Sequence, residues 1–261
     1  MPARKDFAPG EFCWIDLMAH DLEAAEAWYG QLFGWQSFRQ ETGGPPYSFF
    51  MQGEAGIGGA GQMMDEMKAQ GIPPVWNSYV LVDDCAASER RAAELGATVN
   101  VPTMEVSGHG KLCFITDPSG TSIALWQSLN DEGSGLLVGE PNGLCWNELL
   151  CRDLAAARDF YGKLFGWEFA DMPMGEMTYT MIKVNGQDAG GIMAMQGPQF
   201  DNVPNHWAVY FAVADCQAMA DKIAASGGSV LVPPTPIPVG TFSVAQDPQG
   251  GGFSIIQLNP A

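Results

Sequence analysis

The sequence predicts an α+β protein of two tandem halves, each made of two strand–helix–strand–strand–strand modules. The first observation behind this is a repeat. Residues 13–35 read CWIDLMAHDLEAAEAWYGQLFGW and residues 145–167 read CWNELLCRDLAAARDFYGKLFGW; from Asp21 and Asp153 onward, 10 of 15 positions are identical at an offset of 132. A period of that length marks a duplicated domain rather than a solenoid unit. The second observation is that one order of strand and helix patterns recurs four times. The third is a D-P-x-G turn near the end of each half, Asp117-Pro118-Ser119-Gly120 and Asp247-Pro248-Gln249-Gly250.

In the first module, residues 12–18 alternate as a strand does, with Cys13, Ile15 and Leu17 on one face and Trp14, Asp16 and Met18 on the other. Asp21 is suited to cap a helix, along which Leu22, Ala25, Tyr29, Leu32 and Phe33 recur at helical spacing. Gly34 reads as the helix stop, and Trp35 opens the next strand. Short strands are expected over residues 47–52 and 57–63. The second module starts at Trp76, with a strand over 77–82, a helix capped by Asp84 and ended by Gly96, and a strand over 97–101 that stops at Pro102. Residues 111–116 and 121–127 form a hairpin through the D-P-x-G turn, whose composition suits a type I turn. The second half repeats the plan: Trp207 answers Trp76, Asp215-Cys216 answers Asp84-Cys85, and Val232-Pro233 answers Val101-Pro102. The boundaries are a first domain over 10–129, a linker over 130–142 and a second domain over 143–259.

Composition narrows the function classes. A hydrophobic fraction of 46% supports a core in each half. No apolar run approaches the length of a membrane span. With 12 basic and 30 acidic residues the net charge is −18, which argues against nucleic acid or an anionic membrane as partner. The opening residues MPARKDFAPGEF lack the apolar segment of a secretory signal, so the expected location is cytoplasmic. The six cysteines, without a C-x-x-C pair, read as reduced, buried and unreactive thiols. The Gly56–Gly61 and Ala189–Gly191 stretches do not join a strand to a helix with a lysine in place, so a phosphate loop is excluded and tight bends within strands are expected. No G-x-S-x-G elbow or Ser-His-Asp order points to nucleophilic hydrolysis.

The four modules, the D-L-x-x-A-x-x-[FW]-Y-x-x-L-F-G-W helix and the D-P-x-G hairpin resemble the vicinal oxygen chelate superfamily, which includes glyoxalase I, bleomycin-resistance proteins and extradiol dioxygenases. The likeness runs from about Phe12 to Leu258 and is closest to tandem-domain, glyoxalase-like members. It implies that paired modules curl their mixed sheets into a cup that holds the ligand, and that internal duplication can replace dimerisation, so the expected assembly is a monomer or a homodimer. Catalytic members hold a divalent metal in the cup. By the resemblance, its ligand positions fall here on Trp14 and Trp146, on Asn77 and Ala208, and on Ala124 and Ser254. None supplies the imidazole, carboxylate or thiolate that first-row metals prefer. No metal and no other cofactor is therefore expected.

Asp16 and Glu148, two residues beyond the tryptophans on the same strand face, are the candidate reactive acids, and His206 stands two residues before Ala208 as a candidate partner of Glu148. A carboxylate there serves either as a base or cation anchor in the cup or as a hydrogen-bonded charge at a domain interface. Strand parity places Trp14, Trp126, Trp146, Asn77, Tyr79 and Tyr210 along the concave sheets, as ligand contacts or as core. Three functions follow. The first is a metal-independent protein that binds a small organic molecule in aromatic, acidic cups. The second is an atypical glyoxalase-like lyase, isomerase or dioxygenase using Asp16, Glu148 and His206. The third is an interaction protein with idle cups.

Overall fold

Alternation, caps and glycine stops are each realised where the residues demand them. The computed structural model describes residues 3–40, 45–106, 108–129, 135–174 and 177–260. The first half runs β1 (Phe12–Ala19), α1 (Leu22–Phe33), β2 (Gln36–Gln40), β3 (Tyr47–Gln52), β4 (Ala55–Gln62), α2 (Asp65–Ala69), β5 (Val75–Leu81), α3 (Cys85–Glu94), β6 (Thr98–Val106), β7 (Gly110–Thr116) and β8 (Ser122–Ser128). The second runs β9 (Leu144–Cys151), α4 (Leu154–Phe165), β10 (Glu168–Met174), β11 (Met177–Val184), β12 (Gln187–Ala194), β13 (His206–Ala212), α5 (Cys216–Ala225), β14 (Ser229–Ile237), β15 (Gly240–Gln246) and β16 (Gly252–Leu258). Asp21, Asp84, Asp153 and Asp215 each accept a hydrogen bond from the backbone N–H three residues on, at about 3 Å. Gly34 and Gly166 end α1 and α4 in the left-handed conformation, with φ of 79° and 72°.

Each half is one eight-stranded mixed sheet, in the orders β2-β3-β4-β1-β5-β8-β7-β6 and β10-β11-β12-β9-β13-β16-β15-β14. Within each module the first and last strands pair in parallel, and the two modules join through the antiparallel pairs β1–β5 and β9–β13. This is the expected α+β plan of two tandem halves with two modules apiece.

Three details differ from the sequence expectations. β6 continues through Pro102 to Val106 instead of stopping there, because it is the last strand of its sheet and breaks register on either side of Val101. A missing N–H costs little at such an edge bulge. β1 also carries a register shift between Phe12 and Trp14, which turns Phe12 toward Trp167 and Trp207 of the other half. The third difference concerns the core. Instead of one core per half there are two clusters, each made crosswise. One joins Ile15, Leu17, Tyr29, Trp35 and Phe50 of the first module to Val209, Phe211, Ile223, Phe253 and Ile255 of the fourth. The other joins Val80, Cys85, Ile115 and Leu125 of the second module to Leu149, Tyr161, Trp167 and Ile182 of the third.

The halves are therefore back to back, with the helix-bearing faces turned inward and the opposite faces turned out. Polar stitches cross the seam in matching pairs. The Tyr29 hydroxyl donates to Asp247 at 3.0 Å and Tyr161 to Asp117 at 2.8 Å, so each repeated helix holds the D-P-x-G turn of the other half. The Trp35 and Trp167 indoles donate to the carbonyls of Asn142 and Gly10. Of the expected linker, residues 130–134 lie outside the described residues. From Gly135 it is no loose tether: Leu136 bridges to Arg4 and Gly56, and Leu136 and Leu137 are buried in the first cluster.

Candidate functional site

The outward faces carry the residues that parity assigns to them. Ile15 and Leu17 of β1 enter the core, which leaves Trp14 and Asp16 on the opposite, concave side. Asp16 lies across from Asn77 on β5, Trp14 across from Tyr79, and Tyr79 next to Ala124 on β8. The side chains close into a cage. Tyr79 donates to Asp16 Oδ2 at 2.6 Å, the Asn77 amide donates to Oδ1 at 2.9 Å, and Tyr47 from β3 reaches Oδ2 at 3.5 Å. The Trp14 indole in turn donates to the Tyr47 oxygen at 3.0 Å. The second half repeats the cage with a longer acid. Tyr210 donates to Glu148 Oε2 at 2.8 Å, Trp146 donates to the Tyr179 oxygen at 2.8 Å, and the Tyr179 hydroxyl pulls the Glu148 carboxyl down against the rise from burial.

Tyr47 and Tyr179 are the site residues that parity along the first strands did not reveal. They come from a different strand, and their place depends on two glycines. Asp16 pairs with Gly59 on β4, and Glu148 with Gly191 on β12. A Cβ on Gly59 would stand 2.0 Å from the Tyr47 hydroxyl oxygen, and one on Gly191 would stand 1.9 Å from that of Tyr179. Each glycine stretch breaks register within its strand, skipping Ile57 in β4 and Ala189 in β12, as the expected bends require, and its bare backbone at Gly59 or Gly191 lets a tyrosine lie across it. Two matched pairs at the repeat offset, Tyr47 with Tyr179 and Gly59 with Gly191, were the signal available in the sequence.

Both acids are buried, at 6% exposure each. Burial pushes them above the ordinary carboxylate range, against the lowering pull of Tyr79, Asn77 and Tyr47 on Asp16 and of Tyr179 and Tyr210 on Glu148. Burial first, and the adjacent acid second, hold Tyr47, Tyr79 and Tyr210 well above the usual phenol range. The tyrosines are accordingly proton donors in their bonds to the acids.

Trp126 lies on the concave side of β8, over Gly110, where an added Cβ would meet its ring at 2.3 Å. His206 opens β13 and faces Leu150; its Nδ1 meets the Pro204 carbonyl at 2.8 Å. The structure does not join it to Glu148, whose hydrogen bonds come from the tyrosines, so the expected His–carboxylate pair is not formed. The thiols are free, and burial pushes Cys145, Cys151 and Cys216 up to about 11.

The cages do not fit the divalent metal of the superfamily's catalytic members. Both oxygens of Asp16 are already engaged by neutral donors, and burial favours its protonated form. No group of three or more His, Cys, Asp or Glu side chains among the described residues is placed to hold a metal. What the cages offer chemically is a buried acid, phenol hydroxyls and an indole wall.

Comparison with known proteins agrees with the topology. A sequence model of the Glyoxalase/Bleomycin resistance protein/Dioxygenase superfamily matches residues 12–125 and 144–255. A Mycobacterium tuberculosis protein named "Putative glyoxylase CFP32" is 38% identical over 100% of this chain and 99% of its own. The anthracycline biosynthesis protein DnrV of Streptomyces peucetius is 31% identical over 97% of this chain and 94% of its own. Among solved structures, the Mn(II)-bound glyoxalase of Novosphingobium aromaticivorans shares the fold with a TM-score of 0.66 at 14% identity, covering 95% of this chain and 82% of that one. The 2,3-dioxygenase LapB of Pseudomonas sp. KL28 does so with a TM-score of 0.62 at 15% identity, covering 97% and 94%. With the model matched in both halves and full-length relatives above 30% identity, the chain belongs to the Glyoxalase/Bleomycin resistance protein/Dioxygenase superfamily.

Proposed function

We propose that the protein binds a small, planar organic molecule on the concave face, through a buried acid and its tyrosines, without the metal of the superfamily's catalytic members. The observation that carries this reading is the cage itself: an acid, two phenols and an indole occupy the cup floor in both halves. Aromatic walls favour flat ligands by stacking, and the few convergent polar groups set orientation. The net charge of −18 disfavours an anionic ligand. Relatives named for anthracycline biosynthesis point to the same chemistry, since anthracyclines are fused-ring, hydroxylated aromatics.

A thermal-shift screen of planar aromatics, aldehydes and glutathione adducts tests the reading, beside native mass spectrometry of protein purified without chelator. A ligand at about a hundred times its Kd stabilises by about 2.7 kcal/mol, a readily seen shift. At least one planar aromatic should stabilise the protein, and the response should weaken in E148Q or D16N. No response from any aromatic would overturn the reading in favour of an interaction protein.

A second reading is a glyoxalase-like lyase, isomerase or dioxygenase reaction. The rise of Asp16 and Glu148 favours it, because a carboxyl shifted upward suits a general acid. Turnover of an aldehyde–thiol adduct that vanishes in E148Q would decide for it.

A further inference from the structure

The two cups have diverged. Opposite Asp16 stands Asn77, whose amide takes the acid's Oδ1. Opposite Glu148 stands Ala208, so that donor has no counterpart. Ala124 beside Tyr79 becomes Ser254 beside Tyr210, which adds a hydroxyl to that cup. The walls change as well. Phe49 packs against Trp14 and Phe114 against Tyr79, with centroids 5.9 and 5.6 Å apart. Their positions in the second half hold Met181 and Val244, and that of Trp126 holds Ile256. Cup one carries three rings that cup two lacks, and its acid takes an internal amide. Cup two has lost these three rings and the amide and gained one ring, Phe242 in the place of Leu112, while keeping the acid, both tyrosines and the indole.

We infer that cup two alone takes the ligand, one per chain, and that Glu148 recognises a hydroxyl or N–H donor on a planar molecule, in the place that Asn77 fills in cup one. The inference rests on the binding function proposed above and adds which cup acts, how many molecules bind and which group is read. A flat hydroxylated ring replaces the missing rings, and its donor replaces the missing amide. Buried acceptors left without a donor are costly, so the ligand's donor is a specificity element rather than an incidental contact.

Isothermal titration of the full chain with 2,6-dihydroxynaphthalene, a planar probe with two phenolic hydroxyls free of internal hydrogen bonds, tests this. The expected result is one probe per chain. A208N, which installs the amide of cup one, should weaken binding by about ten- to hundredfold. I256W should also weaken it, by restoring the ring of cup one over Gly240, which is bare as Gly110 is. Thermal unfolding of each variant establishes that it is folded, and either cup-two variant suffices if the other is not. Two probes per chain, or binding retained in both A208N and I256W, would overturn the assignment to cup two while leaving the binding function standing. No binding by the wild type would overturn the binding function, and this inference with it.

Discussion

At Asp16 and Glu148, burial and hydrogen bonding pull on one proton in opposite directions, and burial wins in both halves. The folded state therefore holds that proton more tightly than the unfolded chain, in which carboxyls titrate near pH 4. The sign follows: the stability these groups lend is complete below about pH 4 and declines as pH rises toward their raised folded values. The amide variants D16N and E148Q have no such proton to lose. Denaturant unfolding from about pH 4 to about pH 8 should show wild type losing ground to each variant as pH rises. A constant difference across that range would contradict the shift. Strand parity made these acids and the tryptophans legible in the sequence, because period-two alternation maps directly onto the two sheet faces. Tyr47 and Tyr179 were not legible that way. Their placement depends on which strand lies beside β1 and β9, and on glycines whose role is to leave room.

At the scale of elements, each repeated helix serves the other half. Tyr29 of α1 donates to Asp247 and accepts from the Trp76 indole; Tyr161 of α4 donates to Asp117 and accepts from Trp207. All of these groups are buried, so removing a hydroxyl strands a carboxylate oxygen. Y29F and Y161F should each lower unfolding stability by about 1–3 kcal/mol, read by chemical denaturation. The double variant should be close to additive, because the tyrosines sit in separate clusters. A loss below about 0.5 kcal/mol for either would remove the stitch from the account. A second exchange between elements shows how little such pairs depend on sign. Glu26 of α1 binds Arg39 of β2 and Ser48, whereas the matching positions place Arg158 with Asp171 and Thr180. The caps and the hairpin turns could be read from sequence because they are local. The continuation of β6 past Pro102 could not, because it depends on that strand being an edge.

For the whole molecule, the duplication announces two domains, but the cores are shared crosswise, so neither half contains a complete one. Residues 10–129 produced alone should lack a cooperative thermal transition and expose apolar surface, as dye binding and calorimetry would report. A native-like transition in that fragment would contradict crosswise packing. This pairing was hidden in the sequence because apolar faces of like period do not name their partners. The same duplication let the cups drift apart while the scaffold stayed. The central claim is that acids caged by tyrosine occupy the ground that a metal holds in the superfamily's catalytic members. Mass-spectrometric metal analysis tests it most directly, on protein purified without chelator, loaded in turn with manganese, iron, nickel and zinc, and desalted. The account predicts well under one equivalent of every metal per chain, unchanged in D16N and E148Q. One equivalent retained by the wild type and lost in either variant would contradict it.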